Sequence, residues 1–143
     1  MRTSKSVYIE RPVADVFWYV ADMSRHPEWR SELLGTQVVG VVKEGVGTHL
    51  RQRIAYQGRT IEVNLEITDF VPGERICIRA HGGVHAHGCF DFSAEGNGTR
   101  FDASATAELK GALGMMERYI QQAIDRVADA DFERLKTVLE RGA

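Results

Sequence analysis

The sequence predicts an α+β fold in which one antiparallel sheet is covered by a long C-terminal helix. From about residue 33 to 108, β-branched runs recur every ten to twelve residues between glycine-bearing turns, as in a meander of hairpins. Residues 112 to 141 hold no proline, and their apolar residues recur at helical spacing. The remaining N-terminal residues predict one strand and two short helices.

Length and composition indicate a single domain spanning residues 1–143. The hydrophobic share of 43% and the charged share of 27% are ordinary for a globular protein, and a net charge of −2 gives no field that attracts nucleic acid or an acidic membrane. No apolar stretch approaches the length of a membrane span or of a signal peptide. We therefore expect a cytoplasmic protein with no membrane span.

The first elements follow from local signals. Residues 3–10 predict a strand that ends at Arg11-Pro12, and Pro12 suits the first turn of a helix. The segment PVADVFWYVAD carries one apolar stripe at helical spacing, which predicts an amphipathic helix. Ser24 is the predicted N-cap of a second short helical stretch, SRHPEWR.

The register of the meander can be predicted because residues that face each other across a hairpin lie on the same side of the sheet. Turns at 57–58, 70–73, 82–84 and 97–98 each bring apolar residues opposite each other. The predicted inner pairs are Ile54 with Ile61, Ile67 with Ile76, Ile78 with Gly88, and Phe92 with Ala103. The matching outer pairs are Arg53 with Glu62, His49 with Glu66, and Arg75 with Asp91, so we expect one face in water and one covered.

The cover is the predicted C-terminal helix, roughly 45 Å long at 1.5 Å per residue. Its buried stripe is predicted to contain Leu113, Met116, Ile120, Ile124, Val127, Leu135 and Val138. Beneath it the inner face carries many tiny side chains on adjoining strands: Ala80, Ala86, Gly88, Ala103, Ala105 and Ala107. Either the helix approaches the sheet closely there or a hollow remains, and we favour the hollow.

A hollow at this place would bind a ligand. Three polar residues, Thr48, Gln52 and Tyr56, are predicted on the inner face. Thr48 and Tyr56 could simply be exposed at the ends of their strand. Gln52 is mid-strand and needs a hydrogen-bond partner such as water or a ligand. Trp18, Tyr19 and Trp29 either gate one end or cap the core. The predicted cavity lining is Trp29, Leu50, Gln52, Ile54, Tyr56, Val63, Leu65, Ile78, Gly88, Phe90, Ala103, Ala105, Met115, Met116 and Tyr119.

The residues also carry a resemblance. IERPVADVFWYVADMSRHPEWR, the Gly45-Val46-Gly47-Thr48 turn, the GNGTRF hairpin and the long final helix together resemble the START-like or SRPBCC superfamily, most of all its polyketide cyclase/dehydrase branch. This resemblance implies a helix-grip fold: a seven-stranded antiparallel sheet wrapped around a long C-terminal helix, with two short helices between strands 1 and 2 and a deep apolar cavity. Members of the superfamily range from carriers to aromatic cyclases, so the fold does not choose a function.

We expect binding of a small hydrophobic or aromatic molecule, with a polyketide cyclase or dehydratase-like enzyme, or a protein acting through partner contacts, as the alternatives. The inner strand positions from 48 to 107 are expected to hold no charged or histidine side chain, so no catalytic residue is assigned; Tyr56, Tyr119 and Gln52 could polarise a carbonyl, and His26 or Arg30 could reach the entrance. Nothing in the sequence chooses between a monomer and a homodimer.

No metal or cofactor is expected. Glycines form no phosphate-binding motif. His81, His85 and His87 share the solvated face, but Arg79 stands opposite His87 and would repel a cation. Cys77 and Cys89 also face each other outward, and we expect free thiols because cross-strand neighbours seldom satisfy disulfide geometry.

Overall fold

A computed structural model of the chain describes residues 1–42, 44–56, 58–81, 85–108, 112–115 and 117–142. Within these residues, seven strands, three α-helices and one 3₁₀ helix follow each other. They are β1 (Arg2–Ile9), α1 (Val13–Ala21), the 3₁₀ helix (Met23–Glu28), β2 (Leu33–Val39), β3 (His49–Tyr56), β4 (Arg59–Val71), β5 (Arg75–His81), β6 (Ala86–Glu95), β7 (Gly98–Ala107), α2 (Ala112–Met115) and α3 (Glu117–Glu140).

The seven strands form one antiparallel sheet in the order β1-β7-β6-β5-β4-β3-β2. Together with the two short helices between β1 and β2 and the C-terminal helix, this arrangement confirms the predicted helix-grip fold. The second short helix is a 3₁₀ helix. Its predicted N-cap, Ser24, is wrong, because Asp22 caps the helix. The Asp22 carboxylate accepts a hydrogen bond from the backbone N–H of Ser24 at 3.2 Å, because a carboxylate at that position satisfies a free N–H at the helix start.

The predicted register is confirmed in two hairpins and wrong by two residues in the others. Ile54 pairs with Ile61 and Ile78 with Gly88, as expected. A bulge at Thr68 makes Ile67 pair with Ile78 and Phe70 with Ile76. In the last hairpin Glu95 pairs with Gly98, so the turn is Gly96-Asn97 and Phe92 pairs with Phe101. The pairings of Ile67 and Phe92 each differ by two residues, so these side chains keep their predicted face. Beyond the bulge the extra residue reverses the parity, which puts Asp69 opposite Cys77 on the outer face and Phe70 on the inner face.

The outer register is confirmed by the charged pairs. Arg53 lies opposite Glu62 and His49 opposite Glu66. Arg75 lies opposite Asp91, and its Nε donates to a carboxylate oxygen of Asp91 at 2.7 Å. Glu62 makes its ion pair with the diagonal neighbour Arg51 instead of Arg53, at 2.7 Å.

Aromatic rings fill the core at the end of the sheet where β1 ends. Phe101 is fully buried, and its ring centroid lies 5.2 to 5.4 Å from those of Phe90, Phe92 and Phe132. Phe17 of α1 adds an edge-to-face contact with Phe92 at 5.1 Å. Sheet, first helix and the C-terminal half of α3 therefore share one packed core.

Polar contacts attach α3 along its length to β1. Lys5 pairs with Asp129 at 3.0 Å, Lys136 donates to the backbone carbonyl of Tyr8 at 2.7 Å, and Gln121 donates to that of Arg2 at 2.7 Å. The backbone N–H of Glu10 donates to the Glu140 carboxylate at 2.8 Å. No helix in the described part of the chain combines the length and apolar composition that crossing a membrane requires.

The start of β7 tolerates no side chain. A Cβ placed on Gly98 would lie 2.6 Å from the backbone carbonyl oxygen of Ile9, closer than real atoms approach. We expect Gly98→Ala to lower the free energy of unfolding by roughly 1–3 kcal/mol, because the β1–β7 pairing must shift. Chemical denaturation measures this. Gly96→Ala is the control: it meets no atom within 4 Å and carries only the cost of its φ of +58°, about 1 kcal/mol. Equal losses in the two variants would contradict the steric explanation.

Candidate functional site

The inner face of the sheet, which faces α3, is packed at one end and half-exposed at the other. Leu50, Leu65 and Phe101 are buried at the packed end. Burial decreases along the same strands. Ile54, four residues after Leu50, and Val63, two residues before Leu65, are only half-buried, and Ile61 is 39% exposed. The half-exposed end therefore offers apolar surface that the described part of α3 does not cover.

The predicted lining residues divide between these regions. Trp29, Leu50, Gln52 and Leu65 are buried, and the half-buried ones are Ile54, Val63, Ile78, Gly88, Phe90 and Ala103. Met116 and the side chain of Tyr56, whose backbone ends β3, lie outside the described residues.

Two of the predicted lining residues on the helices are not buried against the sheet. Met115 and Tyr119 are 89% and 71% exposed, and Ala105 beneath them is exposed as well. Near its start α3 is held at the edge strand β1, where Gln121 donates to the carbonyl of Arg2. The helical stripe is thus buried mainly in its second half, at Phe132, Leu135 and Leu139.

A cleft of about 840 Å³ lies at one end of β5, β6 and β7. Much of its lining comes from the outer face, including Arg79, His87 and Thr106, and Ala80, Ala86 and Ala107 of the inner face also border it. None of the predicted lining residues within the described part of the chain borders this cleft. The small size of Gly88 has a steric reason, because a Cβ on it would lie 3.0 Å from the carbonyl oxygen of Ser104.

A polar cluster lies where the packed and half-exposed ends meet. Gln52 is 2% exposed, and its side-chain oxygen accepts from Nη1 of Arg30 at 3.4 Å while its amide nitrogen donates to the Thr36 hydroxyl at 3.4 Å. The expected partner of Gln52 was water or a ligand; protein side chains take that place. Both distances are long for hydrogen bonds, so each is weak.

Arg30 is half-buried at the end of the 3₁₀ helix, where its backbone N–H donates to the carbonyl of His26 at 2.8 Å. Burial lowers the pKa of its guanidinium, and the charges of Asp131 and Glu32 oppose that effect. An arginine keeps its charge under such conditions. The cluster therefore contains a cation with a planar set of donors beside an apolar surface.

Two buried polar atoms belong to residues that shortly precede Arg30 in the chain: His26 in the 3₁₀ helix and Trp29 just after it. His26 is fully buried, and its Nε2 lies 2.7 Å from the carbonyl oxygen of Val20. A carbonyl only accepts, so Nε2 carries the proton and Nδ1 is the free acceptor. Among the described residues neither His26 Nδ1 nor the indole N–H of Trp29 has a hydrogen-bond partner, and the two rings lie 5.0 Å apart. Burial, with a smaller effect of the Arg30 charge, lowers the pKa of His26 to about 4.

The remaining polar predictions have simpler explanations. The Thr48 hydroxyl donates to the carbonyl of Gly45 at 2.7 Å, so it stabilises the turn before β3. Trp18 is about half exposed, whereas Tyr19 is buried with its hydroxyl donating to Glu28 at 2.9 Å. Burial and that carboxylate raise the pKa of Tyr19 to about 12.

The expectation that charged residues are missing from the inner strand positions 48–107 is wrong at one place. Arg59 pairs with Tyr56 and so has inner parity, at the exposed start of β4. Lys5 of β1 also has inner parity, and Asp129 holds its ammonium. Sequence reasoning missed Thr36, which its pairing with Gln52 across β2 and β3 would have placed on the inner face.

The outer face departs from expectation at the cysteines. Cys77 and Cys89 lie directly opposite each other on β5 and β6 and form a disulfide, with their Cα atoms 4.1 Å apart. The predicted free thiols are therefore wrong for this structure. His87 lies two residues before Cys89 on the same face, with Arg79 opposite, as the register predicted.

Comparison with known proteins identifies the family. A model of the family described as polyketide cyclase/dehydrase and lipid transport matches residues 1–140. No curated protein sequence matches the chain significantly. Among solved structures, the chain is similar over its whole length to the whole of TTHA0849 from Thermus thermophilus, with a TM-score of 0.84 and 21% identity.

Two further structures share the fold at low identity. The Zhui aromatase/cyclase from a Streptomyces species has a TM-score of 0.81 at 15% identity, over 99% of this chain and 94% of that one. A START superfamily protein from Mycobacterium smegmatis has a TM-score of 0.76 at 16% identity, over 96% and 98%. The match of the family model over nearly all of its length establishes that this chain belongs to the polyketide cyclase/dehydrase and lipid transport family.

Proposed function

We propose that the chain binds a small apolar or aromatic molecule that carries a carbonyl or anionic oxygen. The observation that supports this most is the Arg30–Gln52 pair, which places charged and amide donors at the boundary of a half-exposed apolar surface. Ligand sites commonly combine apolar walls with a few convergent polar groups. The apolar part of the ligand would lie against Ile54, Val63 and Ile78, with its oxygen at Arg30.

We also retain the cytoplasmic location as a prediction, in which the ligand would be an intracellular small molecule.

The second candidate function is a polyketide cyclase or dehydratase-like enzyme. The same cluster favours it, because Arg30 could stabilise an enolate oxygen while the neutral Nδ1 of His26 accepts a proton. A cavity that folds a reactive chain contributes much of the rate by orientation alone. Turnover of a poly-β-keto substrate that Arg30→Met abolishes would select this function; saturable binding without turnover would select the carrier.

Arg30→Met tests the polar anchor. We expect it to weaken binding of an anilinonaphthalene sulfonate by about 10- to 150-fold, since hydrogen bonds to a charged group contribute about 1.5–3 kcal/mol. Binding of neutral naphthalene should change less than threefold, because methionine conserves the apolar stem. Fluorescence titration measures the first ligand and competition measures the second.

Arg134→Met is the matched control, since Arg134 is exposed on α3, where it pairs with Asp131 at 3.7 Å and donates at 3.4 Å to the carbonyl of Trp29. It should bind both compounds as the wild type does. If Arg30→Met lowers the affinity for both compounds equally, the polar anchor is wrong; if the wild type binds neither, the proposed function is wrong.

A further inference from the structure

The outer face of β5 and β6 brings two sulfurs and an imidazole together on the side of the sheet opposite the candidate ligand site. Cys77 is buried and Cys89 half-buried, whereas His87 is exposed. A ring nitrogen of His87 and the two Sγ atoms all lie within 4.8 Å of one another. Within the described residues no other trio of histidine, cysteine or carboxylate side chains lies close enough to share a metal ion.

Sequence reasoning rejected a metal here by considering the three histidines alone. Arg79 faces His87, and three neutral imidazoles would leave the charge of a divalent cation uncompensated beside it. Two thiolates reverse that balance, because they neutralise the two positive charges of the metal. Of His81, His85 and His87, only His87 belongs to the cluster.

The donor set matches one metal best. Two cysteine sulfurs and one imidazole are ligands that Zn²⁺ prefers, with Zn–S bonds of about 2.3 Å, and tetrahedral bonds of that length place the sulfurs roughly 3.8 Å apart. That separation fits within the 4.8 Å span of the three side chains once the sulfur–sulfur bond is broken. Because His87 is exposed, the fourth position would face solvent.

We propose that the reduced chain binds one Zn²⁺ through Cys77, Cys89 and His87, and that this state and the disulfide exclude each other. A small thiol supplies the electrons: two RSH become RSSR as the disulfide accepts two electrons and two protons to give two thiols. Zn²⁺ then displaces the two thiol protons to solvent. In the reducing compartment that the sequence predicts, the dithiol form is the one available to the metal.

The experiment is a metal titration of the reduced, oxygen-free protein against a chromophoric zinc indicator. We expect one equivalent of zinc to bind to the wild type and at least tenfold weaker binding to His87→Ala, Cys77→Ser and Cys89→Ser. His85→Ala is the matched control: His85 is an exposed histidine of the same hairpin and should leave the affinity unchanged. Co²⁺ in place of zinc should give an intense near-ultraviolet sulfur-to-metal absorption that each cysteine variant weakens.

The oxidised wild type should bind no zinc in the same assay, and air oxidation of the zinc form should release it. Circular dichroism checks that every variant keeps the fold. The proposal is overturned if the reduced wild type binds zinc no more tightly than Cys77→Ser, or if His85→Ala weakens binding as much as His87→Ala. Because the site is on the opposite face, loss of zinc binding leaves the small-molecule titrations unchanged, and the two proposals are tested separately.

Discussion

Phe101→Ala should lower the free energy of unfolding by about 3–5 kcal/mol, the usual cost of removing a fully buried phenylalanine. Phe101 is 0% exposed, and three aromatic rings surround it. Two of those rings come from β6 and the third from α3, so they cannot collapse together into the space without moving the helix. Chemical denaturation measures the loss as a lower midpoint with an unchanged slope.

Phe101→Leu is the control for this prediction, because it keeps most of the volume and should cost under about 1.5 kcal/mol. A loss of less than 1 kcal/mol in Phe101→Ala would contradict tight packing at this end of the sheet. It would mean that neighbouring side chains fill the cavity left by the phenyl ring at almost no cost.

Acid should destabilise the fold through His26 by about 3 kcal/mol. The pKa of His26 is about 4 in the folded chain and about 6.5 when the chain unfolds. Between those values the unfolded chain binds a proton that the folded chain excludes, so stability is fully present above about pH 6.5 and is lost as the pH falls towards 4. The difference of about 2.5 pKa units at 1.36 kcal/mol each gives the magnitude.

His26→Gln isolates this effect, because the glutamine amide can donate to the Val20 carbonyl and does not titrate. Carboxylates that titrate in the same range contribute to both proteins and cancel in the difference. We expect the free energy of unfolding of the wild type to fall by about 3 kcal/mol more than that of the variant between pH 7 and pH 4. Parallel pH curves for the two proteins would show that His26 is not buried as a neutral ring.

Pattern alone predicted the faces of the strands but not all of their pairings. A strand pairing that is shifted by two residues leaves each side chain on the same face of the sheet. Ile67, Phe92 and Phe101 therefore lie on the expected face although their partners differ. The bulge at Thr68 inserts one residue whose position no alternation marks. Likewise, Asn97-Gly98 is a strong turn signal, but Gly96-Asn97 can form the same tight turn.

The candidate site was less predictable because it depends on contacts between distant segments. Nothing in the 3₁₀ helix or in β3 indicates that Arg30 reaches Gln52, 22 residues away. The cysteine pairing was predictable as a juxtaposition, whereas the general rarity of cross-strand disulfides led to the wrong expectation. Helical periodicity likewise marked apolar residues of the final helix without showing that Met115 and Tyr119 face solvent.

The attachment of the first strand has a consequence for how this protein is made. Residues 2–9 pair with residues 99–106 and also bind α3, so β1 has no strand partner until β7 has been synthesised. Such distant pairing makes folding slow, and the incomplete nascent chain exposes an unpaired sheet edge in the meantime. The sheet is therefore completed only when its first strand joins its seventh.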